Sequence, residues 1–206
     1  MVITDLDLAF DQKEEFPSPF DKCSTTAFGL TQTIITMLLN WLDPQAQLNL
    51  LYRGSEQGIS PLSFHQHCDK KGATLTLVKS DLGKVFGGYT QVSWRSESRP
   101  KAVKDNKAFV FSLTHKQRYA LKHFNGPAVV HSKDFMAVFG RETLRDIFLQ
   151  RNDGRMANNN TSDFGANYIL PKEMVIGSEQ STSHLSGTGL MFKIAEIEVY
   201  QVVIAK

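Results

Sequence analysis

The hexapeptide FHQHCD, which begins at Phe64, gathers side chains that could bind a metal or act as nucleophiles. Zn²⁺ is bound by nitrogen and sulfur ligands, and ligands from one helix must lie on the same face of that helix. His65 and His67 are two residues apart, so on a helix they point to different sides. Phe64 and Cys68 have the four-residue spacing that places them on one face, and so do His65 and Asp69. The spacing therefore favours Phe64 and Cys68 in the core with His65 and His67 near its rim. We expect no metal site.

Cys68 could alternatively act as a redox thiol. It lies near the C-terminal end of a predicted helix, where the helix dipole disfavours a thiolate, so burial is the preferred interpretation. The chain has two cysteines, Cys23 and Cys68, which are too few for a disulfide framework. We expect both as reduced thiols.

Glu196 and Glu198 alternate on one face of a predicted strand, and paired carboxylates can serve as acid and base. Strand periodicity alone produces such pairs often, so a solvated or ion-paired face is preferred. The sequence contains no GxSxG, HExxH or GxGxxG motif. A triad of serine, histidine and acid could form only through proximity in the fold. We therefore expect no catalytic residues, no cofactor and no enzyme.

The run KVFGGYTQVSW places Gly87 and Gly88 inside an otherwise strand-like segment. A phosphate-binding loop needs its glycines between a strand and the start of a helix, because the helix amides bind the phosphates. Here Tyr89, Thr90 and the following residues are strand formers. We therefore expect Gly87 and Gly88 to be structural, allowing another part of the fold to approach closely.

A basic stretch lies within residues 95–122, which hold eight basic and two acidic side chains. Its candidate partner-binding residues are Arg95, Arg99, Lys101 and Lys104. The segment from 95 to 107 is expected to be an exposed connection between strands, which could steer an acidic partner. Interleaved aromatics could suggest nucleic-acid binding, but they occupy strand positions typical of a core. We therefore do not expect nucleic acid as a partner.

Apolar spacing places one amphipathic helix in FGLTQTIITMLLNWLDP, ended by Asp43 and Pro44. A strand at 48–54 closes on Gly54. A second helix has Ser60 as N-cap, Pro61 at its first position and Gly72 at C′. The next two strands form a hairpin across SDLG, and further strands are predicted at 107–113, 118–123, 126–131, 134–139, 145–150 and 191–204. The last of these changes phase, which predicts a β-bulge near Ala195 and Glu196.

Many strands with few helices predict an α+β, mainly β fold, in which two antiparallel sheets pack face to face with flanking helices. Trp94 is expected as a structural residue of this core, together with Gly54, Gly72, Gly87 and Gly88. Residues 1–22 lack periodicity and are expected to be an extended or disordered lead. Residues 23–46 carry the N-terminal amphipathic helix, and 47–206 form one domain.

Charge is unevenly distributed along the chain. Residues 1–46 have two basic and seven acidic side chains, whereas residues 47–206 have 21 basic and 14 acidic ones. No uninterrupted apolar run reaches the ~18 residues that a membrane span needs. The first 20 residues lack the basic and apolar regions of a signal peptide. We therefore expect a cytoplasmic protein without membrane insertion, free or attached peripherally to an organelle membrane.

Several blocks of the sequence resemble the TLDc domain, the module of the oxidation-resistance family. The first half corresponds to the 45-residue run from LLYRGSEQG to TQVSW, and the second half to AFVFSL, DFGANY and LSGTGLMFKIAEIEVYQV in the same order. The resemblance covers about residues 47–204. One departure is FGRETLRDIF, where Arg141 and Glu142 replace the small residues that members commonly have, which leaves the local turn uncertain.

The resemblance implies a curved β-sandwich flanked by helices, no recognised cofactor and a role as an interaction module. Members are associated with resistance to oxidative stress and with binding the peripheral sector of the vacuolar proton-pumping ATPase (V-ATPase). No catalytic residues are carried over from the family. The preferred hypothesis is a non-enzymatic module that regulates this pump. The alternatives are a structural component built permanently into another assembly and, third, an antioxidant enzyme.

Overall fold

The computed structural model describes residues 26–150 and 160–204. The expected lead over residues 1–22, and Cys23, lie outside the described residues. In chain order the elements are α1 (Gln32–Leu42), β1 (Ala46–Arg53), α2 (Gly54–Gln57), α3 (Pro61–Cys68), β2 (Thr74–Ser80), β3 (Val85–Thr90), β4 (Lys101–Lys104), β5 (Phe109–Ser112), β6 (Gln117–Ala120), β7 (Pro127–His131), β8 (Val138–Gly140), β9 (Arg145–Phe148), β10 (Asn160–Thr161), α4 (Glu179–Ser183), β11 (Met191–Phe192) and β12 (Ile194–Ile204).

Two antiparallel sheets of six strands each form the body of the protein. The first has the order β1-β12-β2-β3-β5-β6 and the second β11-β10-β9-β8-β7-β4. Their facing side chains form one apolar cluster, to which the first sheet contributes Val78 and Phe86 and the second contributes Val129, Phe139 and Ile147. This arrangement confirms the predicted mainly β sandwich with flanking helices.

Helix α1 covers the outer face of the first sheet. The Thr31 hydroxyl caps its N-terminus by accepting a hydrogen bond from the Ile34 amide, and the helix ends before Asp43 and Pro44. Its spaced apolar side chains pack over the sheet, where Leu38 is completely buried against a cluster that includes Leu48 and Leu75. The amphipathic helix predicted from the apolar spacing is confirmed.

Helix α3 begins as the sequence predicts but ends earlier. Ser60 caps it and Pro61 is its first residue, yet the helix stops at Cys68 with Asp69 as C-cap. The predicted C′ position of Gly72 is therefore wrong. The reason is that the chain after Cys68 pairs with the segment at Trp94: the Lys70 amide donates to the Trp94 carbonyl at 3.1 Å. Gly72 instead takes a positive φ of 80° in the turn that leads to β2.

Strand β12 lies between β1 and β2 and carries the predicted bulge. Its register against β2 shifts between Ile194 and Glu196, which confirms the phase change inferred from the sequence. The expected single strand over 191–204 is wrong in one respect. Its first part, β11, belongs to the second sheet, and the chain crosses to the first sheet at Lys193.

The segment 95–107 differs from its prediction as an exposed connection. It contains β4, which pairs with β7 at the edge of the second sheet, with Lys101 opposite His131 and Lys104 opposite Pro127. Val103 is half-buried against the core, and this contact gives the short strand an inward face. The expectation of a loop is therefore corrected to an edge strand, although both lysines are exposed.

Candidate partner-binding surface

Gly87 and Gly88 lie where neighbouring groups leave no room for a side chain. A Cβ on Gly88 would lie 2.5 Å from the ring of Phe139, which reaches across from the second sheet. A Cβ on Gly87 would lie 1.9 Å from the Thr76 carbonyl oxygen in the adjacent strand. Strand β3 continues to Thr90 without starting a helix. This geometry favours close packing over a phosphate loop.

Two further residues expected to be structural are also enclosed. Trp94 is completely buried, and its indole nitrogen donates to the Thr74 hydroxyl at 2.9 Å. A Cβ on Gly54 would lie 2.7 Å from side-chain atoms of Ile59 and Ile197. Both positions therefore support packing of α2 and of the 70–94 region against the core.

The FHQHCD segment packs as the spacing predicts, except at one histidine. Phe64 and Cys68 are completely buried, as expected. His65, expected near the rim, is also buried because its ring is held between α3 and the chain after β7. Its Nδ1 lies 2.7 Å from Asp69 Oδ1, and its Nε2 lies 2.8 Å from the Ser132 carbonyl oxygen.

His65, Asp69 and Ser96 come together, but not in the order of a catalytic triad. The Asp69 carboxylate is central, since its other oxygen accepts from the Ser96 hydroxyl at 2.7 Å. A triad needs histidine between acid and nucleophile. Here the far ring nitrogen of His65 faces two carbonyl oxygens instead. This arrangement ties α3 to its surroundings and does not activate Ser96.

Cys68 lies in an environment that opposes thiolate chemistry. Burial raises the pKa of the Cys68 thiol well above its usual range, and the nearby Asp69 charge raises it further. A reactive thiol needs a lowered pKa and solvent access. The structure therefore favours the packing interpretation of Cys68. In the described part of the chain, no group of three or more His, Cys, Asp and Glu side chains could hold a metal ion.

Glu196 and Glu198 are both buried, so the prediction that they lie on a solvated face is wrong. Glu198 accepts hydrogen bonds from Arg53 Nε at 2.7 Å, the Tyr200 hydroxyl at 2.7 Å and the Ala27 amide at 2.9 Å. Glu196 accepts from the Ser55 and Ile197 amides. The two carboxylates thus anchor neighbouring segments, and the ion-paired alternative holds for Glu198.

The basic candidates are exposed but do not form one patch. Arg95, Arg99 and Lys101 lie at or before the start of β4, whereas Lys104 lies at its opposite end, about 10 Å further along the strand. A cleft of about 590 Å³ adjoins Arg95 and is lined by Asp69, Lys70, Ser93, Arg95, Ser96 and Glu97. Asp69 and Glu97 in this lining reduce the net positive charge of the cleft. We call Arg95, Arg99 and Lys101 the N-terminal β4 cations.

The interleaved aromatic residues are core residues. Trp94, Phe109, Phe111 and Tyr119 are each at most 4% exposed. Base stacking requires accessible ring faces. The observed burial therefore agrees with the expectation that these rings belong to the core, and it removes the aromatic part of the argument for nucleic-acid binding.

Two acidic residues to which the sequence analysis gave no role organise the second sheet. The Glu142 carboxylate accepts from the Ala102 amide of edge strand β4 at 2.9 Å. Glu142 belongs to the Arg141–Glu142 departure, and the turn around it closes normally because the Arg141 amide donates to the Leu144 carbonyl. Occupying an edge amide in this way hinders pairing with another strand.

The second acid is Asp146, which is completely buried and anchors the DFGANY segment. It accepts hydrogen bonds from the amides of Gly165 at 2.8 Å and Asn167 at 2.9 Å. Burial raises the pKa of Asp146 to about 6, although these hydrogen bonds oppose the rise. A lone acid in the apolar run RDIFLQ is the signal that could have identified it, because buried charges require partners.

The fold defines a class of protein: an antiparallel β-sandwich with flanking helices, whose surface presents charged turns and edges. The sequence model of the TLDc domain matches residues 28–203. The chain therefore belongs to the TLDc domain family, which confirms the resemblance seen in its sequence blocks. The match also includes α1. Family membership indicates a module for regulatory protein interactions.

One curated relative is the protein named MTOR-associated protein MEAK7 from Danio rerio. It is 32% identical over 82 residues, which are 38% of this chain and 18% of the relative. The matched part is thus less than a fifth of the relative's length. Among the described helices of this chain, none is long and apolar enough to cross a membrane.

Proposed function

We propose that this chain is a non-enzymatic interaction module that binds and regulates the peripheral sector of the V-ATPase. The observation that carries the proposal is the TLDc match over residues 28–203, because this family is associated with that pump. Such a module would act in the cytoplasm, at the organelle membrane where the pump resides.

The contribution to oxidative-stress resistance then follows from binding and not from chemistry of the Cys68 thiol. Cys68 is fully buried and its pKa is raised by burial, so it is poorly suited to reacting with oxidants. The Ser96, Asp69 and His65 contacts likewise support a structural role. The proposal therefore assigns any protective effect to the assembly that the module binds.

The contact surface assigned to this function is the N-terminal β4 cations. Arg95, Arg99 and Lys101 are exposed, and Arg95 also lines the cleft described above. Exposed charges at an interface act mainly on the association rate, and their effect is screened by salt. These residues would therefore increase the rate of association with an acidic surface on the pump.

The name of the Danio rerio relative suggests a second class of partner, an mTOR-containing assembly. Affinity purification of the chain from cells that express it, followed by identification of bound subunits, separates the two. Recovery of pump subunits in a salt-reversible complex supports the proposal. Stoichiometric retention in an unrelated assembly supports a permanent structural component, and peroxide turnover by the pure protein supports an antioxidant enzyme.

The binding surface is tested by reversing the charge of Arg95, Arg99 and Lys101 to glutamate. We expect a slower association with the purified pump sector at about 0.1 M salt and a smaller defect at about 1 M, where the Debye length falls from about 10 to 3 Å. Lys104→Glu with Lys107→Glu is the matched control, because both are exposed but lie at or beyond the other end of β4. Equal association rates for the triple variant and the native chain would remove the N-terminal β4 cations from the interface.

A further inference from the structure

Three turns meet at one end of the sandwich and are tied together by side-chain hydrogen bonds. Asn106, after β4, and Asn125, after β6, bond reciprocally: Asn106 Nδ2 donates to Asn125 Oδ1 at 2.8 Å, and the Asn125 amide donates to Asn106 Oδ1 at 2.7 Å. Asn167 links the second of these turns to the one that ends at Leu144. Its Nδ2 donates to the Leu144 carbonyl at 2.7 Å, and its backbone carbonyl accepts from the Lys122 amide. We call residues 104–107, 121–126 and 141–144 the three-turn end.

The three-turn end exposes apolar side chains that the fold does not use. Phe124 is 80% exposed, the largest value among the exposed large hydrophobic residues of the described chain, and Leu144 is 47% exposed. The turn that carries Phe124 is tight, because the Gly126 amide donates to the His123 carbonyl at 3.0 Å. A ring that is 80% exposed on a hydrogen-bonded turn is available for a contact outside the molecule.

The same end presents an excess of positive charge. Lys104, Lys107 and Arg141 are exposed there. Of the two acidic residues of these turns only Glu142 is exposed, so three exposed cations face one exposed carboxylate. The Asp105 carboxylate is buried and accepts from the Thr90 hydroxyl and the Gln91 amide, and Glu142 accepts from Ala102. An anionic surface would therefore meet cations around an exposed ring.

The shape of the three-turn end favours a lipid partner over a protein that inserts a side chain between the turns. The crevice between its turns, lined in part by His123, Pro127 and Arg141, has a volume of only about 10 Å³ and can receive no side chain. A protein partner would thus have to supply a shaped pocket for Phe124. A bilayer interface requires no such complementarity, because it accommodates aromatic rings and the stems of lysines in any arrangement.

We propose that the three-turn end docks on anionic phospholipid bilayers, with Phe124 in the headgroup region and Lys104, Lys107 and Arg141 facing acidic lipids. Each basic residue near such a surface contributes roughly fivefold to the affinity. A single ring or a single charge is insufficient for stable attachment, whereas the combination supports reversible binding. The contact goes beyond the proposed pump binding and does not depend on it.

The test is co-sedimentation of the purified chain with phosphatidylcholine vesicles, with and without phosphatidylserine. We expect binding only when phosphatidylserine is present, and weaker binding at about 1 M than at about 0.1 M salt. Lys104→Glu with Lys107→Glu should weaken the binding by on the order of tenfold or more, and Phe124→Ser should weaken it several-fold. All variants are first checked for native thermal unfolding.

Two controls separate this surface from the rest of the molecule. Leu62→Ser removes an apolar side chain that is 71% exposed on α3, away from the three turns, and should leave vesicle binding unchanged. The Arg95, Arg99 and Lys101 triple reversal should slow pump association while leaving most vesicle binding intact, so the two proposals can fail separately.

Native protein that does not bind phosphatidylserine vesicles would overturn the membrane proposal. Equal losses of binding from Phe124→Ser and Leu62→Ser would do the same, because the effect would not be specific to the three-turn end. If Phe124→Ser abolished binding to the purified pump sector while no vesicle binding occurred, the surface would be a protein contact and the lipid assignment would be wrong.

Discussion

At the scale of single residues, the glycine pair and the buried acids show how the two sheets are held at close distance. Phe139 occupies the space that a side chain on Gly88 would need, so the small residue on one sheet matches a large ring on the other. Asp146 places a carboxylate against the amides of the DFGANY segment. Each of these positions requires one particular residue type, so a substitution there should lower the free energy of unfolding.

Gly88→Val should lower the free energy of unfolding by ~1–3 kcal/mol, because the new side chain overlaps the Phe139 ring. Denaturant unfolding measures the change. Gly189→Val is the matched control, since a Cβ there would meet no atom within 4 Å. The control should stay within about 0.5 kcal/mol of the native chain. An unchanged midpoint for Gly88→Val would contradict the close-packing role.

At the scale of elements, the sequence predicts those whose pattern is local. The apolar residues around Leu38 recur at helical spacing, which predicts α1. The change of phase around Glu196 predicts the β-bulge in β12. Strand β4 could not be predicted, because Arg99, Pro100 and dense lysines are typical of a loop and only the half-buried Val103 indicates an inward face. The passage of the chain from the second sheet to the first at Lys193 could not be predicted either, because the residues on both sides of Lys193 have a strand-like pattern.

The partner-binding surface could be predicted only in part, for a related reason. Arg95 and Lys104 are close in sequence, but a strand separates them in space, and the turns that meet Lys104 come from residues up to 144. Phe124 gave no signal because its exposure depends on the packing of distant turns. Contacts between distant segments therefore decide which charges act together.

Helix α1 should contribute to the stability of the whole sandwich and not form a separate unit. Leu38→Ala should cost ~2–4 kcal/mol, because it leaves a cavity between α1 and the first sheet. Thr36→Ala on the exposed face serves as the control. We expect one cooperative transition by both circular dichroism and tryptophan fluorescence. A variant with unchanged unfolding of the sheets would show instead that the domain begins after the helix.

At the scale of the whole molecule, two titrating groups, the buried Asp146 and the half-buried His184, set opposite pH dependences. Burial raises the pKa of Asp146 to about 6, so its contribution to stability is largest at low pH and is lost as pH rises from about 4 to 6. Burial, with His115 stacked at 4.3 Å, lowers the pKa of His184 to about 4. Its contribution is present above about pH 6.5 and is lost as pH falls towards 4.

The His184 effect can be isolated by comparing the native chain with His184→Gln. The difference in their unfolding free energies should shrink on the order of 1–2 kcal/mol between about pH 6.5 and 4, after allowance for partial solvent screening. Subtraction removes the contribution of Asp146, which both proteins share. Urea titrations at a series of pH values provide the measurement, and a difference that stays constant with pH would refute the assigned shift.

The position of β12 also affects how the chain can fold during synthesis. Strand β12 lies between β1 and β2, pairing Ala46 with Ile204 and Thr74 with Gln201. Until residues 194–204 leave the ribosome, β1 and β2 lack the strand that joins them, and each presents an edge that can pair with another chain. Closing contacts across more than 150 residues is slow. The nascent chain should therefore depend on chaperones until β12 is made.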